Sequence, residues 1–392
     1  MPVPPGLQHL SPWAARLCLR VEDFARSLTA QRSERPNTPE MIEGRALVLA
    51  ISGGLDSTAL AVILKLLAPR LGMSLSAAHL DHGLRPESGE DAAFCAAFCA
   101  EMGIPFVSVA RDVRTLSGAW NTGIEDAGRK ARHAWLEETR ERFGAFAVVM
   151  AHHLDDLAED QLMRLTRRAG WPALGGMKAW DPARRILRPL LMTPKGDLRR
   201  LLTELDVAWR EDATNADPAF TRNRVRRDIL PLFVRENPDY LGACAELWRQ
   251  ARLDEIHWND ALSAALVTDR ADGGQDGSGI VSSNSHASRD ESFFLPDASR
   301  TSLSWPEFLS NESLDACSQA LRLRLYKRTV EALGPGQALS AALHGLDEAW
   351  RNRSTGKRFQ FPGGKEARVE RGGISFQPGP MPLSVDTSKA ER

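Results

Sequence analysis

The sequence is short of cysteine, of net charge and of long apolar runs. Its five cysteines, Cys18, Cys95, Cys99, Cys244 and Cys317, are too few and too scattered for a disulfide framework and lack the close pairing of a zinc ribbon. A reducing cytoplasmic compartment fits them best. Cys95 and Cys99 share a helix face, but beside Phe94 and Phe98 they read as small buried apolar side chains, not metal ligands. The formal net charge is -1, so attraction to a polyanion has to come from a local basic face and not from the global field. No uncharged apolar run approaches the roughly 20 residues of a membrane span. Arg16, Arg20 and Glu22 break up the segment from Pro12 to Leu28, which reads as an amphipathic helix and not a signal peptide. No membrane partner is expected.

Core material, by contrast, is ample. With 43% hydrophobic and 26% charged residues in 392, the chain exceeds what one hydrophobic core usually supports, and two domains are expected. From Ala46 to about Ile186, short apolar runs alternate with amphipathic helical segments, the pattern of a parallel sheet covered by helices. Strands are expected at Ala46 to Ile51, Leu75 to Leu80, Pro105 to Ala110 and Ala145 to Ala151. Helices are expected at Ser57 to Ala68, Glu87 to Met102, Gly123 to Phe143 and Asp155 to Arg168. This predicts an α/β, doubly wound, Rossmann-like domain over 45–235, behind an N-terminal helical extension over 1–44. A smaller, mainly helical C-terminal domain follows over 236–382. Within it the Gly-, Ser- and Asp-rich stretch near 269–304 reads as a mobile loop, helical patterning returns at Leu314 to Val330 and Ala338 to Trp350, and short alternating runs lie around Arg358 to Phe376.

In such sheets ligands bind beyond the carboxyl ends of the strands, where strand order reverses. Three polar clusters fall there: Ser52 to Ser57, His79 to Arg85, and His152 to Asp156. The first takes a buried strand through two glycines directly into a helix. Ser52, Gly53, Gly54, Leu55, Asp56 and Ser57 form a turn whose amides, helix N-terminus and hydroxyls suit a phosphate group. No lysine follows Gly54 as it would in a P-loop, which disfavours phosphoryl transfer of the kinase or GTPase kind.

The run Ser52-Gly53-Gly54-Leu55-Asp56-Ser57 resembles the signature of the PP-loop ATP pyrophosphatases. His79-Leu80-Asp81-His82-Gly83-Leu84-Arg85, Ala151-His152-His153-Leu154-Asp155-Asp156 and the segment Asp212 to Arg226 are similar, within that superfamily, to the tRNA(Ile)-lysidine synthetases. The resemblance covers roughly the first two thirds of the chain, and Phe361-Pro362-Gly363-Gly364 with Arg368-Val369-Glu370-Arg371 adds a weaker likeness to that family's accessory tRNA-binding domain. Asp160, Phe220 and Arg168-Ala169 depart from the family's usual Thr, Tyr and Gly-Ser. The resemblance implies a cytoplasmic ligase with ATP as substrate, Mg2+ arriving with the ATP, and L-lysine and an isoleucine tRNA with a CAU anticodon as partners. ATP would adenylate the wobble cytidine, and lysine would displace AMP to give lysidine. A homodimer is compatible with it.

Asp156, Glu159 and Asp160 stand at helical spacings and share a face, so a cation is expected beside them. Asp160 is equally explained by pairing with Arg164. By resemblance, Asp56, Asp156 and Glu159 would hold the amino groups of lysine. Arg132, on one helix face with Glu125 and Arg129, matches an arginine the family directs at the active centre, where it would stabilise charge growing on the phosphate. A helix ion pair is the competing reading. Arg222, Asn223 and Arg226 fall in a family motif that contacts ATP or RNA, and the guanidinium forks suit phosphates. Zinc is disfavoured at the histidines, since nucleotide chemistry already explains polar residues there. Two other readings stay open: base thiolation, which would require cysteines that the motifs lack, and a non-catalytic tRNA-binding protein that senses ATP.

Overall fold

The structure, a computed structural model, describes residues 3–30, 42–83, 88–211, 221–272 and 306–378. It divides into two compact units, Met1–Leu253 and Asp254–Arg392. The first opens with helix α1 (Pro12–Ala30). Ala14, Leu17, Cys18, Val21, Ala25 and Leu28 are buried, at spacings that line one helix face. They join the same core as the helix after the first strand, so the expected extension is built into the sheet domain.

Strand β1 (Ala46–Ala50) leads through the Ser52 to Gly54 turn into helix α2 (Leu55–Leu71). Leu47, Val48 and Leu49 are at most 1% exposed, as a strand covered on both faces requires. Helix α2 is buried almost all round, which is why its sequence is apolar on every side. Strand β2 (Ser74–Asp81), helix α3 (Ser88–Glu101), strand β3 (Phe106–Ala110), helices α4 (Val113–Trp120) and α5 (Ile124–Arg142), strand β4 (Ala147–Val149) and helix α6 (Leu154–Thr166) follow. Two-residue strands β5 (Trp180–Asp181) and β6 (Ile186–Leu187) precede helix α7 (Lys195–Glu204).

The sheet runs in the order β3-β2-β1-β4-β6-β5, parallel throughout except for β5, which is antiparallel to β6. From β1 the chain winds outward through β2 and β3, then returns to lay β4 on the other flank of β1. Strand order therefore reverses between β1 and β4, and their carboxyl ends flank the crevice where ligands bind in doubly wound sheets. The sequence pattern anticipates four of the six strands. β5 and β6 are too short to give a period, and α4 is held by a cap, Asp112 Oδ1 accepting from the amides of Arg114 and Thr115, instead of by a long apolar face.

After α7 come the short helix α8 (Thr221–Arg224), a π-helical turn (Val225–Ile229), helix α9 (Leu230–Glu236) and the long helix α10 (Tyr240–Asp272). The loop expected near 269–304 lies from residue 273 onward outside the described residues; residues 269–272 continue α10. The motif residues Leu84 and Arg85 and the segment 212–220 also lie outside them.

The second unit carries strand β7 (Phe308–Ser310), helices α11 (Asn311–Asp315), α12 (Gln319–Ala332) and α13 (Ser340–Arg351), and strands β8 (Arg358–Gln360), β9 (Glu366–Val369) and β10 (Gly373–Gln377). The strands form an antiparallel sheet in the order β7-β10-β9-β8. The β8–β9 turn holds Gly363 and Gly364 at φ +86° and +75°, a backbone region closed to most side chains. Beneath the sheet, Tyr326, Leu346, Ile374 and Phe376 are buried.

One ion pair is sealed into that core. Arg322 donates from Nε to Asp347 Oδ1 at 2.7 Å and from Nη2 to Oδ2 at 3.2 Å. Gln319 Nε2 and the Tyr326 hydroxyl complete the donors to Asp347 at 3.1 and 3.3 Å. Asp347 is fully buried, so removing it strands a buried guanidinium. Asp347→Ala is expected to cost about 3–5 kcal/mol, read as a lowered midpoint for the second unit in urea unfolding of the full chain; an unchanged midpoint would remove this pair from the determinants of the fold.

Candidate active site at the switch point

The loop after β1 is locked by its own hydroxyls. Ser57 Oγ accepts from the Ser52 amide at 3.2 Å, lies 3.1 Å from Ser52 Oγ and donates to the Gly54 carbonyl at 3.1 Å. Gly53 sits at φ +78°, and a Cβ there would stand 3.0 Å from Phe94 and 3.2 Å from Cys95 Sγ. Glycine is required at this point both by the left-handed backbone and by the close approach of α3. From the other side the Arg210 amide donates to the Gly53 carbonyl at 2.9 Å, while its side chain pairs with Glu90 and Asp91. The turn is thus preformed at the N-terminus of α2, the end of a helix that attracts anions.

His79 and the cysteines act behind this surface. His79 is buried on β2 with Nδ1 2.9 Å from the Ile51 carbonyl. Cys95 and Cys99 are fully buried, and burial pushes each thiol up to about 12, as expected of core side chains. Asp81 turns back to accept from the Gly83 amide at 2.8 Å.

The end of β4 brings the carboxylates. His153 caps α6 in an extended conformation, its amide donating to Asp156 Oδ2 at 3.0 Å. The imidazole reaches three acids: Nε2 is 3.5 Å from Asp56 Oδ2 and 3.4 Å from Asp156 Oδ2, and Nδ1 is 3.5 Å from Asp155 Oδ2. Burial alone would drive the proton off His153, yet Asp156, Asp155 and Asp56 together outweigh it and raise the pKa from its ordinary 6.5 to about 9. The same contact helps to hold Asp56, Asp155 and Asp156 below the usual carboxylate range, against the opposing push of burial.

Its neighbour His152 is the reverse case. Burial, aided by Arg188, lowers its pKa to about 3, and Arg188 Nε donates to His152 Nδ1 at 3.1 Å. Arg188 is itself 7% exposed and anchored to the Lys178 carbonyl at 2.8 Å. Arg132 is exposed on α5 and close enough that its charge also depresses His152.

The cation expected beside the acids comes from within the chain. Val225 and Leu230 bury themselves against Ala158 and Leu162 of α6, which lays Arg222 and Arg226 over the first turn of that helix. Arg222 donates from Nε to Glu159 Oε2 at 2.7 Å and from Nη2 to Asp156 Oδ1 at 2.9 Å. Arg226 donates from Nε to Glu159 Oε1 at 2.6 Å, and from Nη2 to Asp156 Oδ1 at 3.2 Å and Glu159 Oε2 at 3.1 Å. Asn223, between them, is half-buried on α8. Asp160 pairs instead with Arg164 at 2.7 Å, the structural partner its spacing allowed.

Sequence reasoning did not single out Lys195. Its amide donates to Asp155 Oδ2 at 2.8 Å and its Nζ to Asp56 Oδ2 at 3.3 Å. A signal was available, because a lysine opening a helix just after Pro194 is placed where the macrodipole disfavours a cation. Among the described residues no group of three or more His, Cys, Asp or Glu is arranged to hold a metal ion, and no helix is long and apolar enough to cross a membrane.

Comparison with known proteins shows the family to which the chain is similar. The PP-loop domain family matches residues 23–233. A tRNA(Ile)-lysidine synthase of Nitratidesulfovibrio vulgaris is 44% identical over 85% of this chain and 92% of its own length. Enzymes of the same name from Geobacter sulfurreducens and Thermus thermophilus are 39% and 33% identical over 57% and 86% of this chain. The chain spans 46% and 57% of the length of those two.

The charged state of His153 has a measurable signature. Because its pKa is raised on folding, the stability it contributes is fully present below about 6.5 and is lost as pH rises through about 9. Urea unfolding from pH 6 to 10 should therefore show the gap between wild type and His153→Gln narrowing across that window. A gap independent of pH would mean that His153 is not protonated in the fold.

Proposed function

The chain belongs to the PP-loop family of tRNA(Ile)-lysidine synthases, and from that premise we infer how its crevice divides the ATP-dependent formation of lysidine at the tRNA wobble position. The observation that carries the reading is the bridge made by His153, 3.5 Å from Asp56 of the phosphate loop and 3.4 Å from Asp156 of the acidic helix. It makes one reaction chamber of two motifs about a hundred residues apart.

In the first half-reaction the carbonyl oxygen of the wobble cytidine attacks the α-phosphorus of ATP, and the bond to the β-phosphate oxygen breaks with its electrons leaving on diphosphate. The turn from Ser52 to Ser57 receives that diphosphate at the N-terminus of α2, where Mg2+ carried by the nucleotide's own phosphates would neutralise part of their charge. Arg132 supplies a fixed charge to the adenylate as negative charge grows on it. In the second half-reaction the side-chain ammonium of L-lysine first releases a proton to solvent, the resulting amine attacks the activated ring carbon, AMP departs with the oxygen, and the new C–N nitrogen sheds its excess proton to solvent. Asp156 and Glu159 hold the amino acid's ammonium groups together with Asp56, whose Oδ1 is buried and receives no hydrogen bond among the described residues. A protonated His153 is no base for the attacking amine. Its part is to keep the three acids ionised and in place.

Incubating the protein with unmodified isoleucine tRNA, ATP and labelled lysine, then digesting the RNA, should yield a labelled nucleoside. Asp156→Asn keeps an oxygen to accept from the His153 amide and should still fold, while labelling falls roughly 100-fold or more, the scale for removing one preorganised charge or donor. Full labelling by this variant would take Asp156 out of the site. Arg132→Ala should slow tRNA-dependent diphosphate release by roughly 10- to 100-fold with little change in the KM for lysine. A raised lysine KM at normal diphosphate release would place Arg132 with the amino acid instead.

A further inference from the structure

Resting on the reading that Asp156 and Glu159 receive lysine, we propose that Arg222 and Arg226 are positioning residues that make the lysine site conditional on bound phosphate. In the free protein their guanidinium groups close the two carboxylates. A polyanion in the crevice, the triphosphate of ATP or the RNA backbone, draws them off and opens the site to the amine.

The closure is nearly complete. Asp156 Oδ1 accepts from both arginines, Oδ2 from the His153 amide, and both oxygens of Glu159 are taken by guanidinium donors. Glu159 is 0% exposed, so an arriving ammonium cannot reach it while the guanidiniums stand over it. Two carboxylates face two guanidiniums, and the group is already neutral. Adding an ammonium without moving a guanidinium would bury excess positive charge, which is costly in a site this dry.

The arginines are equipped to leave. Each side chain is 33% exposed, unlike the acids they cover, and in each the Nη1 group makes no hydrogen bond among the described residues. Guanidinium forks bind phosphate oxygens in pairs, so a phosphate arriving from solvent can engage the open Nη1 and then the whole fork. The segment that carries them changes from α-helical at Arg222 to π-helical at Arg226, a register often found at functional sites.

The exchange conserves charge. Phosphate compensates the arginines, and the lysine ammonium groups compensate Asp156 and Glu159. Neither half is favourable alone, because each would leave buried charges unpaired, so the two ligands bind with positive coupling. Couplings of this kind amount to about 5- to 150-fold in affinity. A lysine site that stays closed until the nucleotide or RNA is seated also keeps the amine from occupying the crevice unproductively.

The test is calorimetric titration of L-lysine into the full chain in three arms: alone, with a non-hydrolysable α,β-methylene analogue of ATP, and with unmodified tRNA. Lysine affinity is expected to rise at least about 5-fold in a polyanion arm, and the arm in which it rises identifies the phosphate source. In Arg226→Gln, affinity in the absence of polyanion should increase and the enhancement should shrink to less than half of the wild-type factor. A purely structural arginine would instead lower affinity equally in every arm. Arg222→Gln makes the same test if Arg226→Gln does not fold. Equal lysine affinity in all arms for the wild type, or an undiminished enhancement in the variants, overturns the coupling. Absence of lysine binding in every arm overturns the assignment of the carboxylates to lysine, and the coupling with it.

Discussion

Four carboxylates and four cations share the crest of this sheet. Asp56, Asp155, Asp156 and Glu159 are set against His153, Lys195, Arg222 and Arg226. Buried acids such as Asp156 and Glu159 persist in ionised form only when paired and hydrogen-bonded, and the partners here come from α2, α6, α7, α8 and the π-helical turn. The cluster therefore ties together elements that are distant in sequence. It also fixes how the chamber can respond, since no member can change partner without another being compensated.

Topology makes the cluster possible. Because β4 pairs with β1 through Leu47, Val48 and Leu49, the phosphate loop at the end of one strand stands beside the N-terminus of α6 at the end of the other. Both helices present their positive ends to the same crevice, which favours anions on each side. On α2 that anion is the expected phosphate. On α6 it is the chain's own Asp155 and Asp156, so one helix end is left open to a ligand while the other is occupied from within.

Much of this was legible in the sequence, where local pattern and local chemistry coincide. The strand, glycine pair and helix at Leu49 to Ser57 could be read as an anion turn because Gly53 has to adopt a backbone that other residues avoid. The convergence of His152 to Asp156 on the same edge followed from strand order. What could not be read was pairing across long stretches of chain. The family motif and guanidinium chemistry point Arg222 and Arg226 at ATP or RNA, but nothing in a linear pattern shows that Val225 packs on Ala158 and Leu162 and so lays both arginines on Asp156 and Glu159. Lys195 is 139 residues from Asp56, and no periodicity links them. β5 and β6 are missed for a different reason: two residues carry no period, and their pairing is imposed by β4.

The two adjacent histidines show how the same residue type is given opposite tasks by one bond of extended backbone. His153 lies at φ -121° and ψ -177°, so its side chain and that of His152 leave the chain on opposite sides. One enters a group of carboxylates that raises its pKa; the other has its pKa lowered by burial first and then by Arg188, with Arg132 nearby. The strand end thus separates a flank where His152 meets Arg188 from one where His153 lies among Asp56, Asp155 and Asp156. On the second flank Arg222 and Arg226 already neutralise Asp156 and Glu159, so charge there can be rearranged only by exchanging one cation for another.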